Sequence, residues 1–310
     1  MNPKLKGYLL GALSAATYGL NPLFTLPLYA DGLNADCVLL YRYVLASVLM
    51  AAMIRWRGRT FTLARRDRLP VGFMALMMWM SSLFLFESYN YMEAGIASTM
   101  LFVYPLMVAV IMALVFRERL SATAMICIFM ALMGIALLFK RPEGATLSIT
   151  GTAFVMLSSL SYAVYIIGVN RPGLRSVPTV KLVFYVLVIG SVLFGIKIAL
   201  SGGTLILPSR WYMWGCVAAL AILPTVISFI CTTAAINLIG PTPTAILGAL
   251  EPATAVVVGV TVFHESMTPR DWWGLLLIVS AVTMVVGGGQ ISAVLVHFRR
   301  LFPRIKHHRQ

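Results

Sequence analysis

Charge is scarce in this sequence. Asp, Glu, Lys and Arg make up 11% of its 310 residues, and only 10 residues are acidic. A soluble domain covers itself with about a quarter charged residues, so a water-facing globule is excluded. Histidine and cysteine are also few, four of each. Cys37, Cys127, Cys216 and Cys231 form no C-x-x-C pair and stand at no metal-ligand spacing to a histidine, so they read as small hydrophobes. His264 adjoins an apolar run, and His297, His307 and His308 fall in a basic tail. No nucleophile with its base and no H-E-x-x-H pair can be assembled from this inventory, so neither an enzyme nor a metal or other cofactor is expected.

Apolar residues fill the space that charge leaves. They account for 60% of the chain, and the mean hydropathy is +0.90. A hydrocarbon core about 30 Å thick needs about 20 helical residues to cross. Cutting the chain at charges, Gly/Pro clusters and polar turns gives ten spans, at 7–29, 36–54, 70–91, 95–116, 122–140, 149–170, 178–200, 211–237, 242–264 and 271–288. No alternating ten-residue pattern recurs, which excludes a membrane barrel, and helices satisfy their own backbone in lipid. The N-terminal apolar stretch is too long for a signal peptide and reads as the first span. The expected class is therefore all-α integral membrane.

The formal net charge of +14 is distributed rather than pooled. Basic residues cluster at Lys4 and Lys6, at 55–68, at Arg117 and Arg119, at Arg171, Arg175 and Lys181, and beyond Arg299, so they occupy alternate connections. This is the positive-inside signature and not a nucleic-acid footprint. It predicts a multi-pass protein of a bacterial inner membrane with both termini cytoplasmic. Residues 289–310 are expected to form a basic cytoplasmic tail.

The two halves echo each other. A shift of 144 residues brings Gly7 onto Gly151, Ser14 onto Ser158 and Tyr18 onto Tyr162. A shift of 147 brings Asn90 onto Asn237, Pro105 onto Pro252 and Glu118 onto Glu265. These matches, in order and at nearly one offset, indicate a repeat of five spans, at 1–143 and 144–288. Because five is odd, the second half enters the membrane from the other side. The expectation is ten transmembrane helices as two inverted five-helix repeats, the arrangement on which alternating access is built.

The motifs within the repeats then suggest a family. Pro105 is followed by Phe116-Arg117-Glu118-Arg119-Leu120 and Gly134, and Leu250-Glu251-Pro252 by Phe263-His264-Glu265 and Gly274. With Arg42-Tyr43-Val44-Leu45-Ala46 in the second span, this resembles the EamA domain of the drug/metabolite transporter superfamily. The first half departs from the pattern, with Tyr104 where Glu precedes Pro and Arg117 where Gly precedes Glu118. The resemblance implies ten helices around a central cavity and export of amino acids or related small metabolites. Two alternatives remain: export of aromatic or cationic drugs, and uncoupled facilitation of small solutes. The expected partners are a small-molecule substrate, the lipid bilayer and protons, with the chain a monomer or weak dimer.

Polar groups within lipid-embedded helices mark the candidate site. Ser14, Thr17, Tyr18, Asn21 and Thr25 share one helical face, and Ser158, Ser161, Tyr162 and Tyr165 repeat it. Trp79, Glu87 and Asn90 share a face of the third span, and Thr225, Ser228 and Thr232 share one of the eighth. These faces line a cavity or serve as packing glue. The substrate-binding set is Tyr18, Asn21, Arg42, Trp79, Glu87, Asn90, Tyr104, Tyr162, Tyr165 and Glu251. Arg42 either clamps a substrate carboxylate or pairs permanently with Glu87. Glu251 is a helix-bend residue or handles substrate or protons. Pro22, Pro105, Pro224 and Pro252 interrupt backbone bonding within spans, as hinges whose freed carbonyls reach substrate or as static kinks.

Overall fold

The computed structural model describes residues 2–88, 91, 97, 100–118, 121–138, 148–175, 177–201, 205–262, 268–270 and 272–284. The described residues are helical throughout, joined by short turns. Seven stretches are long and apolar enough to cross a membrane: Pro3–Ala30, Ala35–Trp56, Arg65–Leu85, Ile149–Val169, Thr179–Leu200, Trp211–Ile239 and Pro241–Val262. The expected spans 95–116, 122–140 and 271–288 correspond to shorter apolar helices among the described residues. The tail at 289–310 lies outside the described residues.

Four expected spans are not continuous α-helices. The first divides into α1 (Pro3–Tyr18) and α2 (Asn21–Ala30), interrupted at Gly19-Leu20. After α3 (Ala35–Trp56) and α4 (Arg65–Ser88), the fourth turns at Phe102-Val103 before α5 (Tyr104–Leu114). Then come α6 (Ala122–Leu138), α7 (Ile149–Val169), the single turn α8 (Pro172–Arg175) and α9 (Thr179–Leu200). The eighth span is α10 (Trp211–Leu220), a π-helical segment at Ala221–Ile227, and α11 (Ser228–Ile239). The ninth divides into α12 (Pro241–Leu247) and α13 (Leu250–Val262) at Gly248-Ala249.

Proline explains each irregularity. Pro22 and Pro105 stand in the first turns of α2 and α5, where the missing N–H is not needed, and Pro224 lies inside the π-helical segment. A proline leaves the carbonyl four residues earlier without its helical donor. Each freed carbonyl finds another donor within the protein. Asn21 Nδ2 donates to Tyr18 O at 2.9 Å, Ser159 Oγ to Leu101 O at 3.0 Å, and Thr225 Oγ1 to Leu220 O at 2.8 Å. Ahead of Pro252, the Glu251 N–H takes Gly248 O at 2.9 Å. These carbonyls are therefore bonded within the bundle, which is how broken helices survive in an apolar medium.

Helix packing follows the repeat. Ser14 on α1 and Ser228 at the start of α11 exchange hydrogen bonds, Ser14 Oγ to Ser228 O at 3.0 Å and Ser228 Oγ to Ser14 O at 3.2 Å. The repeat-equivalent residues meet the same way. Ser158 Oγ on α7 donates to Ser81 O on α4 at 2.6 Å, and the two hydroxyls are 3.2 Å apart. In both cases a helix of one half docks on a helix of the other. All four serines are buried, so they are interhelical glue of the kind small polar residues provide in membranes, and the packing reading of these faces applies to them. The apolar core around them runs through both halves and is built on Tyr43, Met50, Tyr104, Ile166, Leu187 and Phe194.

Candidate substrate site

The interruptions bring the polar residues of the first half-helices together. Arg42, on α3, is 6% exposed. Its Nε donates to Thr225 Oγ1 at 3.0 Å, and its Nη1 to Asn21 Oδ1 at 3.1 Å. Both acceptors are themselves oriented by proline-freed carbonyls, Thr225 through Leu220 O and Asn21 through Tyr18 O. Thus the sequence places two helix-breaking prolines, and the side chains that repair those breaks hold the guanidinium. Among the described residues Arg42 has neutral partners and no carboxylate. An unpaired charge inside an apolar bundle costs at least about 2.5–3.5 kcal/mol, so a buried guanidinium with neutral partners is chemically suited to an anion. Its setting adds to that. It lies beside the N-terminus of α2 and against a π-helical segment, and helix N-termini favour negative charge while π-segments collect at functional sites.

On the other side of the α1–α2 interruption stands an aromatic group. Tyr104 and Tyr162 meet edge to face at 4.8 Å between ring centroids, and Tyr165 stacks on Tyr162 at 6.3 Å. Tyr18 and the Glu251 carboxylate are within electrostatic reach of the Tyr104 and Tyr162 hydroxyls. Two glycines permit this approach. A Cβ at Gly19 would fall 2.5 Å from the Glu251 carbonyl oxygen, and one at Gly248 would overlap the Tyr104 hydroxyl. Glu251 has no basic partner among the described residues. The arrangement offers a carboxylate in an aromatic surround, a setting suited to a cationic group by charge and by ring-face attraction.

Trp79 and Glu87 are placed apart from that group. Glu87 pairs with Lys197 Nζ at 2.9 Å, and Lys197 also takes both carboxylate oxygens of Asp36 at 2.9 Å. A permanent Arg42–Glu87 pair is therefore replaced by a Lys197-centred cluster joining α3, α4 and α9. Trp79 packs on Phe194 with centroids 6.2 Å apart and lines a cleft of about 410 Å³ with Lys197, Leu193 and Ser201. Trp79 thus lines a cleft with Lys197, the residue to which Glu87 is paired. Asn90 lies outside the described residues. Sequence reasoning gave Lys197 no such role, and it named Thr225 only as part of a polar face. The missed signal was Thr225 standing one residue after Pro224 and five after Leu220, where it can donate to the freed carbonyl.

Comparison with known proteins decides the family. The model of the EamA-like transporter family matches residues 5–140 and again 149–287. The chain belongs to the EamA-like transporter family. This EamA-like chain is accordingly a multi-pass membrane transporter of the drug/metabolite superfamily, with two copies of the family unit, acting on a small-molecule substrate. It is similar to the threonine/homoserine exporter RhtA of Escherichia coli, 26% identical over 255 residues that span 80% of each chain. It is also 26% identical over 213 residues to an uncharacterized transporter of Synechocystis, a match that covers 67% of this chain but 64% of that relative's length. A crystal structure superposes on it with a TM-score of 0.77 at 17% identity, over 90% of this chain and 95% of that one, which establishes the likeness of fold.

Proposed function

We propose that this chain exports small zwitterionic metabolites, amino acids and their near relatives, across the inner membrane by alternating access. Ten helices in two inverted five-helix repeats, 1–143 and 144–288, would rock about the paired serine contacts, with both termini cytoplasmic and the chain acting as a monomer or weak dimer. The observation that carries the reading is that Arg42 and Glu251, near the α1–α2 interruption, have no oppositely charged partner among the described residues. Arg42 holds Asn21 and Thr225, both neutral, and Glu251 sits among Tyr18, Tyr104 and Tyr162. An α-carboxylate supplies what Arg42 lacks and an ammonium what Glu251 lacks. The similarity to a threonine/homoserine exporter supports the same class. Glu251 is also the group we assign to proton coupling, since an empty site must neutralise that carboxylate before the carrier returns.

The test is efflux from proteoliposomes loaded with labelled amino acids, nucleosides and aromatic cations, with and without a pH gradient. Selective amino-acid efflux that quickens with the gradient supports the proposal. Efflux of aromatic cations in preference, lost in Glu251→Gln but kept in Arg42→Gln, would assign the chain to drug export instead. That second reading is favoured by the aromatic surround of Glu251. Efflux indifferent to the gradient would make the chain a facilitator.

A further inference from the structure

A second cleft, of about 370 Å³, opens between α4, the end of α5 and the α7–α8 junction. It lies within the range of about 300–1,000 Å³ typical of small-ligand sites. Its wall is apolar, with Phe73, Met74, Val115, Phe116 and Ile167, and one charge stands at its edge, Arg171. The guanidinium lies over the Phe116 ring, 3.0 Å from the centroid. Its Nη2 reaches the Met112 sulfur at 4.0 Å, and its Nε is buried with no hydrogen-bond partner. Among the described residues no carboxylate pairs with it, and Asp67, the acid nearest this cleft along α4, pairs with Arg66 at 3.5 Å.

We propose that this cleft seats an acyl chain of an anionic phospholipid, with the lipid phosphate on Arg171. Three features select that occupant. Phe73, Val115 and Phe116 are 47%, 65% and 37% exposed, an apolar surface of the kind that a partner or a lipid covers. The cleft is next to the basic start of α4, with Arg65, Arg66 and Arg68 just before Pro70, which sets its mouth at headgroup level. A cation with an unmet donor above an apolar slot matches a phosphate above a hydrocarbon chain, and basic pockets between spanning helices take anionic headgroups in this way. The site is separate from Arg42 and Glu251 and does not depend on what is transported.

The experiment is native mass spectrometry of the full chain in detergent, with dioleoyl phosphatidylglycerol or dioleoyl phosphatidylcholine added, and inorganic phosphate as competitor. The wild-type chain is expected to retain one phosphatidylglycerol in preference to phosphatidylcholine. Arg171→Gln should lower that occupancy about fivefold, the share one surface cation contributes, while Arg57→Gln in the same basic end leaves it unchanged. Val115→Trp, which fills the slot from an exposed position, should lower retention of both lipids. Equal retention of the two lipids by wild type would overturn the proposal, as would full occupancy in Val115→Trp. Displacement by millimolar inorganic phosphate with no dependence on the acyl chain would make the site one for a free anion and would overturn it too. Lipid-free melting of each variant checks folding. Should Arg171→Gln fail to fold, the Val115→Trp result decides.

Discussion

Arg42 Nε lies 3.0 Å from Thr225 Oγ1, and Thr225 gives its own proton to the Leu220 carbonyl that Pro224 leaves without a helical donor. The irregular backbone and the buried cation are one construction. A π-helical turn frees a carbonyl, the carbonyl orients a threonine, and the threonine holds a guanidinium that has no anionic partner among the described residues. Asn21 repeats the device from the start of α2, bonded to Tyr18 O on one side and Arg42 on the other.

Removing the cation should therefore cost substrate affinity more than folding. Arg42→Gln is expected to raise the KM for an amino-acid substrate about tenfold or more, the loss of one charge-assisted hydrogen bond of about 1.5–3 kcal/mol. Its melting temperature should hold or rise, since an uncompensated buried charge is gone. Thr225→Val should do the reverse on stability, leaving Leu220 O unsatisfied at about 1–3 kcal/mol. Transport kinetics and melting curves on the same preparations separate the two effects.

Glu251→Gln keeps shape and removes charge. Burying a carboxylate without a cation is unfavourable, so the amide should be at least as stable as the acid. Its transport should lose dependence on a pH gradient, because no group among the tyrosines can then release a proton near neutrality. A variant that melts as wild type yet is still driven by the gradient would move proton coupling elsewhere.

Two glycines set how close the half-helices come. Gly19→Ala places a methyl group 2.5 Å from a backbone oxygen that cannot swing away, and is expected to lower stability by about 1–3 kcal/mol. Gly248→Ala meets a side-chain end, the Tyr104 hydroxyl, so the buried ring and not the backbone must shift. It should cost less in melting but displace Tyr104 from Tyr162 and impair transport. Comparing melting loss with transport loss in the two variants tests whether the tyrosine geometry matters to the site.

Orientation can be read with single cysteines. With both termini cytoplasmic, Ser209→Cys should be labelled by an impermeant maleimide added outside whole cells, and Thr60→Cys only after the membrane is opened. Both positions are exposed, so accessibility reports sidedness and not burial.

How much of this was legible in the sequence differs by feature. Composition and the alternation of basic loops gave an integral membrane helical chain, and the repeated residues anticipated the family. The shift of 144 aligns Ser14 with Ser158, and the shift of 147 aligns their partners, Ser81 and Ser228, so the reciprocal docking was implicit in the repeat. The breaks at Gly19, Phe102 and Gly248 were foreshadowed by prolines, but proline marks a missing bond without saying whether the helix bends, stops or widens into a π-turn. The partner of Glu87 was not legible. It depends on Lys197 reaching Asp36 and Glu87, a contact between distant segments that no local spacing encodes. Arg42 and Glu251 stand out from sequence alone because charge inside an apolar run is costly wherever it falls. That neither has an oppositely charged partner among the described residues is a fact of three-dimensional structure.

The central claim, that opposite charges flanking the α1–α2 interruption read the two ends of a zwitterion, is tested most directly by competition. Efflux of labelled threonine from proteoliposomes would be measured against threonine, threonine methyl ester and N-acetylthreonine at matched concentrations. Strong competition by threonine alone, with the ester regaining parity in Arg42→Gln, is the result this account predicts. Competition by both derivatives as effective as that of threonine itself would contradict it.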